Sequence, residues 1–497
     1  MSESSKTVLR GARWTILDRF GVRLLGLVNT AILARILTPE DFGLVTIGAL
    51  FVGLFNELTN INLTSALISI RDVDRKDYDS AFSLQILRGV ILGSLIAAAA
   101  WPVSLFYDEP RLVEIMLCLA FSQAAAGLIN IGVIDFLKHY RYEREALYHL
   151  LAKIFSVTAS VTVALQTGSY FALVAGMMTL TLSELVLSYL LSPFRPRLAW
   201  SKAGRIFSFS KWMMGTELIN FLAMRSDLFL IGRFAGVKEA GLYSASNEIS
   251  SLPATELSLP FARAAFPVYA SLREARDELR ALFEDNLALL TLLMLPAACG
   301  IVMVAEHMVL IVLGDQWRGA IPLVQLLALY SIPRITFANA HVLFLALERP
   351  DIPLKLGVFD VIVKIPALIA ALIWFGLIGA AWAIVASGFV AALAALFYAR
   401  MQGAAGFATL GGKCMRPVVA SGMMVAVLWG VSDFVSIDAL GLVGSTFTML
   451  ACGGASYAIS LLGLWAMAGF CDGAERRAFD MLPWRLTRWL PFIANRK

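Results

Sequence analysis

Arginines and carboxylates recur inside long apolar stretches of this sequence, where a charge is costly. A charged side chain at the centre of a membrane helix costs about 2.5–3.5 kcal/mol on insertion scales. Each such residue therefore predicts an ion pair, a hydrated cavity or a bound group of opposite charge. The arginines that are candidates for contacting an anionic group in such a cavity are Arg19, Arg23, Arg88, Arg225 and Arg334.

Spacing and chemistry indicate what these arginines could bind. Arg19 and Arg23 are four residues apart, so they share one face of a helix. A guanidinium group suits phosphate because its planar fork donates two parallel hydrogen bonds. The alternative is that carboxylates neutralise the arginines in structural ion pairs. The candidate charge-balancing or coupling residues are Asp18, Glu57, Glu217, Asp227 and Glu256.

The composition predicts a polytopic membrane protein. The 497 residues are 59% hydrophobic and 15% charged, with a mean hydropathy of +0.75. A soluble protein of this length would lack polar cover for its surface, whereas apolar blocks of about 20 residues cross a bilayer. We expect an all-α chain of about 14 transmembrane helices, at 14–37, 42–70, 80–106, 112–135, 146–166, 169–191, 209–234, 241–268, 286–313, 320–346, 354–374, 377–399, 416–433 and 440–470.

The distribution of positive charge predicts the orientation. With these spans, most Lys and Arg residues of the connections fall on one side, and the other side holds only Arg111, Lys238 and Arg318. Because basic residues near span ends are retained in the cytoplasm, both termini are placed there. A count of 12 spans, with the last two assigned wrongly, is the competing interpretation.

Other classes of function leave no signature in the sequence. The 5 cysteines and 4 histidines form no C-x-x-C pair and no ligand cluster, so neither disulfides nor a metal site is expected. Walker A, G-x-G-x-x-G and H-E-x-x-H motifs are absent, and no cofactor is expected. The predicted outer connections are a few residues long, which leaves no extracytoplasmic domain for a catalytic site.

An internal repeat predicts the architecture. LARILTPEDFGL (33–44) and IGRFAGVKEAGL (231–242) match without a gap at an offset of 198 residues, which aligns Arg35 with Arg233 and Gly43 with Gly241. Six spans lie between the copies, so both copies have the same orientation, as in a parallel duplication. Chance similarity between apolar helices is the alternative.

Two pseudo-symmetric six-helix lobes follow from this repeat. The predicted domains are a first lobe (1–191), a cytoplasmic linker (192–208), a second lobe (209–400), an extra helix pair (401–470) and a basic cytoplasmic tail (471–497). Transporters of this build bind substrate between their lobes and alternate access by rocking. The repeat therefore favours transport.

The repeated turn also has local signals. Thr38 is expected to cap a helix that begins at Pro39, with Glu40 and Asp41 in its first turn. Gly43 and Gly241 are expected to allow close approach of a neighbouring helix. Farther along the chain, Asp360 and Lys364 are four residues apart and are expected to form an ion pair.

Three stretches resemble one family: ILARILTPEDFGLVTIGAL (32–50), DLFLIGRFAGVKEAGLYSAS (227–246) and LGDQWRGAIPLVQLLAL (313–329). They are similar to the polysaccharide-transporter (Wzx-type) oligosaccharide flippases of the multidrug/oligosaccharidyl-lipid/polysaccharide (MOP) exporter superfamily, which implies a MATE-like fold. The resemblance implies translocation of undecaprenyl-pyrophosphate-linked oligosaccharide across the bacterial inner membrane, for exopolysaccharide or lipopolysaccharide synthesis. It matches Arg19, Arg23 and Arg88 to arginines near the pyrophosphate.

Other interpretations remain open at this point. A lipid II flippase has the same chemistry at the phosphate end, and a multidrug/cation antiporter would favour a carboxylate-lined cavity. A membrane polysaccharide polymerase or glycosyltransferase is the alternative from the enzymes. As partners, the resemblance adds a polysaccharide polymerase and co-polymerase to the lipid-linked oligosaccharide and the bilayer. No nucleic acid is expected, and a monomer is the default.

Overall fold

The chain folds almost entirely into α-helices. The structure is a computed structural model that describes residues 3–60, 63, 67, 74–139, 141–202, 221–432, 437–469 and 473–480. Within these ranges no residue is in a β-strand. The expected all-α class is therefore confirmed. Glu217 lies outside the described residues, as does the side chain of Glu256.

The helices follow one another with short connections. In chain order they are α1 (Glu3–Ile36), α2 (Pro39–Leu58), α3 (Arg75–Tyr107), α4 (Arg111–Ala126), α5 (Ile134–Lys138), α6 (Tyr142–Thr167), α7 (Phe171–Leu191), α8 (221–234), α9 (Val237–Ser250), α10 (Leu252–Ser271), α11 (Arg276–Val312), α12 (Ile321–Ala346), α13 (Asp351–Met401), α14 (Phe407–Ser432), α15 (Ile437–Met467) and α16 (Ala474–Asp480). Short 3₁₀ segments at Ile131–Val133 and Asp315–Ala320 precede α5 and α12.

Many of these helices are long and apolar enough to cross a membrane. In the described ranges nine pass that test, or ten if α4 and α5, which bend by 68° at their break, form one span. The chain is thus an integral membrane protein, and 14 spans remains a prediction. The predicted number of spans exceeds the number of candidate helices partly because α13 contains two predicted spans. Gly376 (φ 63°, ψ −151°) breaks the helix between them. Helix α1 is not among the nine, because its charged residues lower its hydropathy.

The chain divides into two compact units. Unit 1 comprises residues 1–244 and 312–316, and unit 2 comprises residues 245–311 and 317–497. Unit 1 therefore includes α8 and the first half of α9, which carry the second copy of the repeated turn. The lobe boundaries predicted from sequence remain a prediction.

Small residues allow the helices of unit 1 to pack closely. A Cβ built on Gly176 of α7 would lie 2.9 Å from the Cβ of Ser160 on α6. The Ser156 hydroxyl donates a hydrogen bond to the Gly176 carbonyl oxygen at 2.8 Å. Between α3 and α4, Gly89 and Gly127 are in similar backbone contact. Such contacts stabilise membrane helices, which gain little from the hydrophobic effect in lipid.

Unit 2 contains a buried aromatic cluster and the expected ion pair. Tyr269, Phe283 and Phe344 are fully buried, and the Tyr269 hydroxyl donates to Asn339 Oδ1 at 3.0 Å. In α13 the Lys364 ammonium lies 3.0 Å from the Asp360 carboxylate. The prediction of a satisfied Asp360–Lys364 pair is confirmed.

The repeated turn has the predicted local structure. Thr38 is the N-cap of α2, its side chain accepts from the Asp41 amide at 3.3 Å, and Asp41 accepts from the Thr38 amide at 2.9 Å. Pro39 is the first helical residue. This reciprocal capping satisfies amides that have no partner within the helix.

The two copies of the turn pack against each other. A Cβ on Gly43 would lie 1.8 Å from the Val237 carbonyl oxygen, and one on Gly241 would lie 1.9 Å from the Pro39 carbonyl oxygen. Pro39 and Val237 are themselves equivalent under the 198-residue offset. The contact is therefore reciprocal, as expected for two equivalent segments related by a two-fold axis.

Replacement of Gly43 by alanine should destabilise the protein. The added Cβ would overlap a backbone oxygen, so we expect Gly43→Ala and Gly241→Ala each to lower the thermal midpoint and the folded yield in detergent. Gly422→Ala in α14 is the control, because no atom lies within 4 Å of its Cβ position. Alanine is favoured over glycine inside a helix by roughly 0.5–1 kcal/mol. Equal midpoints for the three variants would show that the glycine contact is not required.

Candidate functional site

The contact between α1 and α6 in unit 1 carries polar and ionisable side chains along its length. A Cβ on Gly21 of α1 would lie 2.7 Å from a Leu150 methyl group, and Gly26 lies against the Lys153 side chain. Farther along the helices, the Ser160 hydroxyl donates to Asn29 Oδ1 at 2.6 Å. We call this contact, with its flanking charged residues on α1 and α6, the α1–α6 seam.

Acidic and basic groups of the two helices meet at one end of the seam. Asp18 of α1 interacts electrostatically with His149 and Glu145 of α6. The Asp18 Oδ1 atom is buried and accepts no hydrogen bond from the described residues. A buried carboxylate oxygen without a donor is costly.

Three cationic side chains lie along the same part of the seam. Arg19 and Arg23 are half-buried on α1, and both interact with other residues. Arg23 is three residues before Gly26 and therefore lies on the same helix face. A Cβ on Gly26 would be 4.0 Å from Lys153 Nζ. The predicted Arg19–Arg23 face is thus next to a lysine on α6.

The guanidinium group of Arg88, a residue of α3, binds the C-terminal end of α2. Its Nε donates to the Thr59 carbonyl oxygen at 2.8 Å, and its Nη2 donates to the Asn56 carbonyl oxygen at 3.3 Å and to the Asn56 side chain. It also interacts electrostatically with Glu57. The last carbonyls of a helix lack partners within the helix and carry partial negative charge. This environment favours a structural role for Arg88.

The other predicted residues are more dispersed. Arg225 is exposed on α8, and Asp227 accepts hydrogen bonds from its neighbour's amide (2.8 Å) and from the Tyr243 hydroxyl. Arg334 is half-buried on α12 in unit 2. Asp18, Arg19 and Arg23 thus lie within two turns of α1, and Arg88 interacts electrostatically with Glu57. Their roles in function remain predictions.

The sequence analysis did not select the α6 residues. Glu145, His149 and Lys153 are spaced at i, i+4 and i+8, which places all three on one helix face. The same spacing argument that paired Arg19 with Arg23 could have found them. Glu184 of α7, which interacts electrostatically with Tyr148, adds another acidic group close to α6.

The seam has the properties of an ion-binding surface. Its cationic groups can bind phosphate. Within the part of the chain that the structure describes, no group of three or more His, Cys, Asp and Glu residues is placed to hold a metal ion.

Comparison with known proteins places the chain in a family. The model of a family described as polysaccharide biosynthesis protein matches residues 32–322, which is more than half of the chain. The chain belongs to this polysaccharide biosynthesis protein family. The match includes both copies of the repeated turn and Arg88, and it begins after Arg19 and Arg23.

The chain is also similar in sequence to individual proteins. The chain is 27% identical over 331 residues to the succinoglycan biosynthesis transport protein ExoT of Rhizobium meliloti (strain 1021), a match covering 66% of each chain. That is slightly under two thirds of ExoT. It is 24% identical over 375 residues to the lipopolysaccharide biosynthesis protein WzxC of Escherichia coli (strain K12), covering 74% of this chain and 76% of WzxC.

A solved structure of another protein has a fold similar to that of this chain. The lipid II flippase MurJ in an inward closed conformation superposes with a TM-score of 0.73 at 12% identity. The superposition covers 92% of this chain and 99% of MurJ. At this identity the likeness concerns the fold alone.

Removal of the Arg88 side-chain charge should reduce stability. Arg88→Gln leaves carbonyl oxygens at the end of α2 without their donor, so we expect the free energy of unfolding to fall by about 1–3 kcal/mol. The measurement is the thermal midpoint of the purified protein. Arg225→Gln, at an exposed position, is the control and should leave the midpoint unchanged. A stable Arg88→Gln protein that fails to export polymer would instead indicate substrate contact.

Proposed function

We propose that this protein is a flippase for undecaprenyl-pyrophosphate-linked oligosaccharide repeat units in polysaccharide biosynthesis. The α1–α6 seam is the observation that carries this proposal. It combines three cationic side chains, Arg19, Arg23 and Lys153, on two packed helices of unit 1. A pyrophosphate group is a suitable ligand, because both phosphates accept hydrogen bonds from arginine forks and from an ammonium group.

The physical task explains why such a surface is needed. The sugar and pyrophosphate are too polar to cross hydrocarbon, whereas the prenyl chain is stable in lipid. A protein that offers cationic side chains along a membrane helix lowers the cost of moving the headgroup. No bond is formed or broken in this step. Alternating access, by movement of the two repeat-related lobes, would expose the headgroup to each side in turn.

The comparisons support transport rather than an enzymatic activity. ExoT is named as a transport protein, WzxC as a lipopolysaccharide biosynthesis protein, and MurJ as a lipid II flippase. Together with membership of the polysaccharide biosynthesis protein family, these names agree with the expected flippase. A bacterial inner-membrane location with both termini in the cytoplasm completes the proposal, supported by the distribution of basic residues.

The acidic end of the seam is suited to coupling. A membrane potential that is negative inside favours outward movement of an anionic headgroup and opposes its inward movement. Asp18 interacts electrostatically with both His149 and Glu145. We assign these groups to coupling and the cationic groups to the headgroup.

Neutralising the two α1 arginines should weaken headgroup binding. Binding of undecaprenyl pyrophosphate and of undecaprenol to the purified protein is compared for the wild type and the Arg19→Gln/Arg23→Gln variant. Each hydrogen bond to a charged group contributes about 1.5–3 kcal/mol, so pyrophosphate binding should weaken by at least tenfold per arginine. Binding of undecaprenol, which has no phosphate, should be unchanged.

Controls separate this role from a structural one. Lys238→Gln removes an exposed positive charge outside the seam and should bind like the wild type. Lys153→Gln should weaken pyrophosphate binding in the same assay, whereas Lys153→Arg should retain it. Equal preference of the wild type for undecaprenol and undecaprenyl pyrophosphate would refute the assignment. Rescue of cells depleted of their lipid II flippase would favour that substrate instead.

A further inference from the structure

The segment after α7 is fixed against the beginning of α3. Residues 192–202, which we call the strap, contain no helix or strand. Three strap amides donate to α3 side chains: Arg197 N to Asp79 Oδ1 (2.8 Å), Ala199 N to Ser83 Oγ (2.8 Å) and Lys202 N to Ser80 Oγ (3.2 Å). The Asn130 side chain, just before the 3₁₀ segment Ile131–Val133, donates to the Phe194 carbonyl oxygen at 2.7 Å.

The side of the strap that faces α3 has its charges balanced. The Lys202 ammonium lies 3.0 Å from the Asp74 carboxylate and 3.3 Å from the buried Asp77 carboxylate. The hydrogen bond with Asp74 holds the pKa of Lys202 above its ordinary value. Asp79, another buried acceptor, pairs with Arg75 at 3.7 Å. These contacts fix which side of the strap faces away from the protein.

The outward side of the strap is apolar and aromatic. Leu198 is 69% exposed and Trp200 is 55% exposed. Ala199, between them, donates its amide to Ser83 of α3. Leu87, four residues farther along α3, is 44% exposed in the apolar part of that helix. Four residues of α-helix rise about 6 Å. The strap therefore lies at the edge of the lipid-facing surface, where tryptophan is enriched in membrane proteins.

Basic side chains flank these apolar residues. The Arg195 guanidinium donates to the Ser192 and Phe194 carbonyl oxygens at 2.7 and 2.9 Å, which keeps it on the strap. Arg197 is exposed, and no described carboxylate pairs with it. Neither arginine is neutralised by an acidic group of the strap, which contains no Asp or Glu. Positive charge beside exposed apolar groups at this depth complements an anionic lipid surface.

We propose that the strap is a binding site for anionic phospholipid. Trp200 and Leu198 enter the boundary between headgroups and acyl chains, and Arg195 and Arg197 bind the phosphate groups of the same leaflet. The site uses none of the seam residues, so it is independent of the identity of the transported substrate. Its consequence is that the connection after α7 is anchored to the membrane surface.

A fluorescent probe at position 200 tests the location of the strap. Trp200→Cys is made with the five native cysteines replaced by alanine, labelled with an environment-sensitive fluorophore and reconstituted into phosphatidylcholine vesicles with or without phosphatidylglycerol. We expect quenching by spin-labelled lipids, stronger when phosphatidylglycerol is present. Quenching by aqueous iodide alone, or burial from both quenchers by a protein partner or second copy, would overturn the proposal.

Lipid binding to the protein with Trp200 intact provides the second measurement. The rise in thermal midpoint on adding phosphatidylglycerol to the purified protein gives an apparent affinity. Arg195→Gln/Arg197→Gln should weaken this affinity by about thirtyfold, and Lys238→Gln, which removes an exposed charge elsewhere in unit 1, should not change it. Identical affinities for the wild type and the double variant would also overturn the proposal.

Discussion

The cost of placing polar groups in hydrocarbon is the constraint on which the rest of this structure depends. Lipid offers no hydrogen bonds, so a polar group at membrane depth must find its partner within the protein. Arg88 binds the end of α2, Asp360 pairs with Lys364, and the Ser156 hydroxyl binds a carbonyl oxygen of α7. The buried Asp18 oxygen of the α1–α6 seam is one of several polar atoms, with Ser226 Oγ and the His307 ring nitrogens among the others, that have no hydrogen-bond partner within the described residues.

The same constraint explains the importance of close backbone packing. Without a hydrophobic effect between helices, association depends on van der Waals contact, which glycine brings to its shortest range. Gly43 and Gly241 each pack against the backbone of the other copy of the turn, and the 198-residue offset relates the two contacts. A duplicated sequence thus supplies both sides of one contact. This accounts for the inclusion of the second turn in unit 1.

Function follows from how charges are distributed rather than from catalytic groups. The seam holds cationic and acidic residues on facing helices, which suits the binding of an anionic headgroup and its coupling to an ion. The strap uses a different arrangement, with balanced charges towards α3 and positive, apolar side chains outward. Both features combine arginine with a membrane environment, and we propose the first for a transported headgroup and the second for resident lipid.

The sequence by itself determined the helical class, the capped turn at Thr38 and the Asp360–Lys364 pair, because each depends on local spacing or on composition. It also predicted a close helix approach at Gly43, but not which segment makes it. Tertiary structure alone decided which distant residues meet. The sequence treated Arg88 as equivalent to Arg19, but only the fold places it at the end of α2. The sequence analysis did not select Lys153, although Lys153 and His149 have helical i, i+4 spacing. The role of a helix face can be assigned only when the helix packed against it is known.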